Sequence, residues 1–385
     1  MSRLARPQWL DRFADRKPMS KRTQMIVIPL GILLAFALPI LNPPFIATQG
    51  SDFGTVLFEA ASYGLVAVGL NIVIGYAGLL DLGYVGFYAT GAYTTGVLTT
   101  YHWHWPFLLA LPVAIAVTMI AGVLLGAPTL RVRGDYLAIV TLGFGEIIRV
   151  CALNIPWLGQ AAGISGIKPP PSIGPNPAGA EGGLFSIPHL NWNTFPPLLD
   201  TGNQTQFLKF GVIDRVPYYW LVLIALMLVL WADRRIKGSR VGRAWEATRE
   251  DEDAAETMGV PTFKFKLLAF AMGAAIGGLS GSLFASENGF ISPDIFVIIL
   301  SELFVAAVII GGSGNRWGAL AGGVLVAYLP ERFRQFSDYR ILVFGLALMV
   351  LAVWRPEGLF PPKRVRRAQR AQAVIADLEG EATNV

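Results

Sequence analysis

The residues that could do chemistry in this chain are ionisable groups set inside apolar runs. Glu59 and Glu302 have no sequence-adjacent partner, and Glu146 and Arg149 stand three residues apart within one run. Charged groups stranded in lipid are expensive and mark ion or substrate paths. Either Glu59 or Glu302 used as a proton site would make a proton-coupled secondary transporter. A spacing of three brings Glu146 and Arg149 together on one helix, so an internal ion pair is expected, with gating as a second role. Asp81 belongs to a different feature, a run containing Gly69, Gly75, Gly78, Gly83, Gly86 and Gly91. Each glycine costs about 1 kcal/mol relative to alanine in a helix, so a break is expected near Gly75–Gly83. Broken helices at membrane depth line cavities, and their free N–H and C=O groups can receive a polar substrate. Asn71, Gly75, Gly78, Asp81 and Tyr84 are the candidates for that path. Asp81 has a competing structural reading, as N-cap of a helix beginning at Leu82. No Ser–His–Asp or paired-carboxylate arrangement can be assigned, so no catalytic residue is expected. His102 and His104 flank Trp103 without a third or fourth metal ligand in reach. They read as part of an interfacial aromatic belt, and no metal site is expected.

Groups so placed need a membrane-spanning scaffold. Of 385 residues, 54% are hydrophobic and only 15% charged, against about a quarter charged in soluble domains. That composition excludes a soluble globule and has apolar residues enough for roughly ten spans of ~20 residues. Apolar stretches run over 25–41, 56–76, 84–100, 107–127, 135–153, 218–232, 265–285, 295–313, 317–330 and 339–354, with 218–232 and 317–330 short for a crossing. The expected fold is an all-α polytopic membrane protein of about ten helices, some broken or short. Gly273, Gly277 and Gly281, like Gly318 and Gly322, repeat every four residues and permit close helix contact. Packing within the bundle is the first use for them, an interface with a second membrane subunit the next.

Charge sets the orientation. The net charge of +5 comes from Lys and Arg gathered at the ends of apolar runs, before residue 25 and after residue 354, and in 128–134 and 233–264. This is the positive-inside pattern of cytoplasmic flanks, so both termini are placed in the cytoplasm and nucleic acid is not an expected partner. Arg332 and Arg334 run against the pattern, because threading puts 331–338 outside. The organisation is a cytoplasmic segment 1–24, a transmembrane domain 25–360 and a cytoplasmic tail 361–385. Within the domain lie an external Pro- and Gly-rich loop, 154–217, and a cytoplasmic loop, 233–264. The single Cys151 cannot form an internal disulfide.

The cytoplasmic loop holds the most informative segment, Ser239 to Pro261. It reads as one or two short helices, with Ser239 as N-cap, ended by Gly259 and stopped by Pro261. Val241, Ala244, Trp245 and Thr248 share one side, and Ala254, Ala255 and Met258 repeat the pattern. Such a helix either docks into a partner's groove or lies against its own bundle. Asp253-Ala254-Ala255, followed by three residues and Gly259, resembles the E-A-A-x-x-x-G coupling signature of ATP-binding-cassette importer permeases, with Asp for Glu. Three further stretches, Gly69–Tyr84, Arg131–Arg149 and Arg355–Leu359, resemble the branched-chain amino acid permeases of the LivM type. The likeness spans about residues 55–360.

The resemblance implies the transmembrane subunit of an importer for branched-chain amino acids in the bacterial inner membrane. Its implied partners are a LivH-type second permease, two LivF/LivG-type ATPases and a periplasmic binding protein. Arg243, Glu246, Asp253, Ala254, Ala255 and Gly259 would form the ATPase contact. A urea or short-amide permease resembles the same stretches. The sequence contains no G-x-x-x-x-G-K-[ST] phosphate loop, so no cofactor bound by this chain is expected, and the resemblance implies that ATP is used by the partner subunits. Two departures from the family pattern are visible: Gly311-Gly312-Ser313-Gly314 is followed by bulky Asn315-Arg316-Trp317, and the external loop is unusually long and Pro-rich.

Overall fold

A computed structural model describes residues 21–43, 52–100, 103–130, 135–172, 186–191, 198–206, 209–211 and 215–332, with a scatter of positions between 342 and 360. The segments 1–20, 131–134, 361–385, parts of the external loop, and most of 333–357, including Arg334 and Arg355–Glu357, lie outside the described residues. Two compact units are present. The smaller takes Met1–Ala47 with Pro188–Asn203, and the larger takes Thr48–Ile187 with Gln204–Val385.

The smaller unit contains α1, Lys21–Leu41, with Pro29 and Pro39 inside it, and most of a two-stranded pair, β2 (Ser186–Asn191) and β3 (Leu198–Gln206). The larger unit is helical: α2 Phe53–Leu70, α3 Tyr84–Thr100, α4 Phe107–Thr129, α5 Asp135–Asn154, α6 Val216–Lys237, α7 Arg240–Glu250, α8 Glu252–Thr257, α9 Thr262–Asn288, α10 Ile298–Gly311 and α11 Arg316–Arg332. A π-helical turn, Asn71–Ala77, continues α2. Among the described residues six helices are long and apolar enough to cross a membrane. The stretches 84–100 and 317–330 form helices of 17 residues, and 339–354 lies mostly outside the described residues. The run 218–232, read as short, is extended to 22 residues because Arg234, Arg235 and Lys237 continue the helix beyond its apolar part. Cations in a last turn complement the partial negative charge there.

Helix α9 is the hub, packed against α2, α3 and α4. In lipid no hydrophobic drive presses helices together, so close approach of small residues supplies the contact. The Gly91 and Gly278 backbones meet so closely that a Cβ on Gly91 would lie 2.5 Å from the Gly278 Cα. The Gly273–Gly277–Gly281 row faces Val73, Tyr84, Phe87 and Tyr88, and Gly322 faces Ala307 and Gly311. Both seams therefore lie within this chain's own bundle. Around them Tyr63, Tyr84 and Tyr88 each set a ring edge against Phe304, at centroid distances of 5.2, 6.5 and 5.5 Å. The first part of the external loop folds back as β1, Ile164–Ser165, antiparallel to β4, Phe290–Ile291, just beyond α9.

Candidate functional site

The segment from Ser239 to Pro261 is built from local signals. Ser239 accepts a hydrogen bond from the Val241 N–H at 3.1 Å and starts α7. Asp251 accepts one from Ala254 N–H at 3.0 Å and starts α8, whose first turn carries Glu252 and Asp253 against the helix's positive end. Gly259, at φ +82°, and then Pro261 close the segment. Gly242, Ala244, Trp245 and Thr248 are buried. The Trp245 indole N–H donates to the Phe265 carbonyl at 2.6 Å, and Lys266 pairs with Glu252 at 2.5 Å. Both contacts fasten the segment to the first turn of α9. Trp245→Phe keeps most of the ring but loses that hydrogen bond. Its expected cost is about 1 kcal/mol, read as a small drop in the thermal midpoint of the detergent-purified chain.

The expected burial of Ala254, Ala255 and Met258 together is only partly realised. Ala255 is buried, whereas Ala254 is exposed and Met258 is 84% exposed. A six-residue helix covers a single turn and a half, so only one of its small apolar positions meets the bundle. Arg243, Glu246, Asp253 and Gly259 are exposed as well. Two apolar and several charged groups are thus presented outward from a segment whose other side is anchored.

Behind the segment lies a polar junction. The Arg249 guanidinium donates to the Gly75 carbonyl in the π-helical turn, and the arginine stem lies over Gly78. Gly78 has φ +75°, a left-handed backbone that favours glycine. A Cβ there would meet the Arg249 stem, so the glycine also leaves room for this contact. A π turn loosens the regular carbonyl ladder, which suits it to a side-chain donor. Asn71 Oδ1 accepts from Gly314 N–H at 2.7 Å, and Lys237 Nζ donates to the Gly314 carbonyl at 2.8 Å. Lys237 also sits 4.4 Å from the centre of the Tyr76 ring, while the Tyr76 hydroxyl donates to Asp233 at 3.2 Å. Arg316 pairs with the same carboxylate at 3.0 Å. Helix α7, the broken helix, the end of α6 and the turn between α10 and α11 are thereby joined at one place. The bulky Asn315-Arg316-Trp317 sequence after the glycine turn gains a structural use, since Arg316 supplies the ion pair.

Sequence reasoning missed Tyr76, Asp233, Lys237 and Arg249 as a group. One signal was available: Asp233 is the only acidic residue in α6, four before Lys237, at a spacing where side chains meet.

The chain leaves helical geometry after Ala77 and re-enters it at Tyr84, two residues later than Leu82. The backbone groups of this break are used internally. Asp81 Oδ1 accepts from Gly83 N–H at 2.9 Å, a turn-forming contact. Thr141 Oγ1 of α5 accepts from Leu82 N–H at 3.1 Å, and Ser301 of α10 donates to the Leu82 carbonyl at 2.6 Å. Asn71, Gly75, Asp81 and Tyr84 are buried, and Gly78 is exposed. The Tyr84 hydroxyl donates to the Gly273 carbonyl at 2.8 Å.

Of the ionisable groups in apolar runs, Glu59 and Glu302 are exposed on their helices. Glu146 and Arg149 form the expected pair, with Arg149 Nε 3.0 Å from each carboxylate oxygen and its terminal nitrogen 2.5 Å from one of them. A second pair, Arg215 with Glu287 at 2.8 Å, joins the start of α6 to the last turn of α9.

Residues 53–353 match the family model described as branched-chain amino acid transport system / permease component. The chain is 40% identical over 326 residues to the high-affinity branched-chain amino acid transport system permease protein LivM of Salmonella typhimurium, covering 83% of this chain and 72% of that protein. The Escherichia coli LivM protein gives the same figures. The Escherichia coli LivH permease protein is 33% identical over 147 residues, 36% of this chain and 47% of that one. No solved structure matches significantly.

Proposed function

The chain belongs to the family of branched-chain amino acid transport permease components, and from that membership we propose that it is the membrane-spanning subunit of an ATP-driven importer of leucine, isoleucine and valine. The relatives do not favour the urea or short-amide and proton-coupled readings. The observation that carries the mechanism is the segment α7–α8: open to a partner on one side, bound to the bundle on the other, and joined by Arg249 to the broken helix.

In this reading two separate ATPase subunits grip the segment. Ala254 and Met258 enter the groove, and Arg243, Glu246, Asp253 and Gly259 lie at its rim. Closure of the ATPases on ATP displaces α7, and Arg249 carries the displacement to Gly75. A LivH-type permease is the second membrane subunit, in keeping with the partial likeness of LivH to this chain. A periplasmic binding protein delivers the amino acid to the external face. The complex sits in the inner membrane with both termini of this chain in the cytoplasm.

Proteoliposomes holding both permeases, both ATPases and the binding protein should accumulate leucine only with ATP. Accumulation by this chain alone on a proton gradient would overturn the proposal. Ala254→Arg tests the docking surface. Because Ala254 is exposed, the chain should fold normally while co-purification of the ATPases falls severalfold. Ala255 is unsuited to this test, since it is buried and a charge there would disturb α8 itself.

A further inference from the structure

Helix α5 presents two unlike sides. Leu137, Ala138, Thr141 and Ala152 are buried, and on that side Phe144 packs on Phe87 of α3 at a centroid distance of 5.3 Å. Opposite them Tyr136, Ile139, Val140, Ile147 and Val150 are 43–70% exposed and recur at helical spacing along the whole helix. An apolar stripe of this kind would suit lipid tails, were it not for its border with the buried side. Glu146 and Arg149 lie along that border, half-buried, with side chains 43% and 25% exposed. Eleven residues of helix from Asp135 place Glu146 about 16 Å along the axis, near the middle of a hydrocarbon core ~30 Å thick. A carboxylate is too short to reach water from that depth. Intramembrane charges face a bundle interior or a watery cavity, and in this chain the pair is left partly exposed at the bundle surface. The cavity must be completed by the rest of the importer.

We propose that this side of α5 lines the translocation route and that Glu146 and Arg149 receive the ammonium and carboxylate groups of the passing amino acid. This rests on the importer reading above. The charge match is direct. A free amino acid is a neutral zwitterion, and the pair is itself neutral, so the two can exchange partners without net charge entering the membrane. The arginine fork suits a carboxylate, Glu146 takes the ammonium, and Ile139, Ile147 and Val150 offer aliphatic surface to a branched side chain. Between passages the pair satisfies itself.

The test uses the complete importer in proteoliposomes. Cys151 is the only cysteine, so Cys151→Ser gives a background in which Ile147→Cys can be labelled alone. A membrane-impermeant cationic methanethiosulfonate should label it during turnover, and leucine should slow the labelling. Glu146→Gln and Arg149→Gln should each raise the KM for uptake about tenfold or more, as expected for a lost charge-assisted hydrogen bond, while co-purification of the second permease is unchanged. Arg149→Gln should also reduce the preference for leucine over leucinamide, which lacks the carboxylate. The inference fails if Ile147→Cys reacts only with a lipid-soluble maleimide, which would place this side against lipid. It also fails if that cysteine is dry but cross-links to the second permease, which would make the stripe a subunit contact. If the unmodified importer does not take up leucine with ATP, the functional reading fails; if it does and Ile147→Cys stays dry, only this inference does.

Discussion

Arg249→Ala is expected to give an importer that assembles and hydrolyses ATP yet accumulates leucine more than tenfold more slowly. Arg249 stands on α7, the helix proposed to meet the ATPases, and its guanidinium donates to the Gly75 carbonyl, 174 residues away in sequence. A hydrogen bond from a charged donor contributes about 1.5–3 kcal/mol, and tenfold corresponds to about 1.4 kcal/mol. Loss of this bond also removes the stem that covers Gly78. The exposed docking residues and the Trp245 anchor are untouched, so the ATPases should still bind and cycle. The informative quantity is the ratio of leucine taken up to ATP hydrolysed in proteoliposomes. Arg249→Lys, which keeps one charged donor, should recover part of the coupling. Loss of assembly and hydrolysis together with uptake would show that Arg249 merely holds the bundle together.

Gly281→Val is expected to prevent accumulation of folded protein in the membrane. A Cβ at Gly281 would fall against the Tyr88 carbonyl and lie 3.1 Å from the Ala92 nitrogen, both backbone atoms of α3 that cannot rotate aside. Overpacking of a tight interior costs about 1–3 kcal/mol, occasionally more, and here the two added methyl groups extend the clash along the seam joining α9 to α3. Detergent extraction followed by size-exclusion chromatography should recover little monodisperse protein. Gly143→Ala is the matched control: nothing lies within 4 Å of its Cβ position, so its thermal midpoint should hold or rise slightly, as expected for alanine over glycine in a helix. Equal recovery of both variants would refute the account of the seam.

Local features were legible without coordinates. Ser239, Gly259 and Pro261 mark the ends of the coupling segment because capping and helix termination are decided within a few residues. The glycine run from Gly69 to Gly91 announced a break for the same reason, and the Glu146–Arg149 pair followed from spacing alone. Periodicity was less reliable at Ala254 and Met258. It shows that apolar residues share a side, not whether the bundle or another protein covers it.

Taken alone, the sequence determined that this is a polytopic membrane protein, where the segment from Ser239 to Pro261 begins and ends, that the glycine-rich run is broken, and which family it resembles. Those properties depend on hydropathy, charge and short-range hydrogen bonding, all written within one or two turns of chain. Only the tertiary structure decided that Arg249 meets Gly75, that Arg316 and Tyr76 share Asp233, that Gly281 abuts Tyr88, and that the Glu146–Arg149 pair stays partly exposed at the surface of its own bundle. Each of these depends on which helix faces lie against one another. That choice is made by the packing of the whole bundle, with many small contacts summed over distant segments, and no short stretch of sequence contains it.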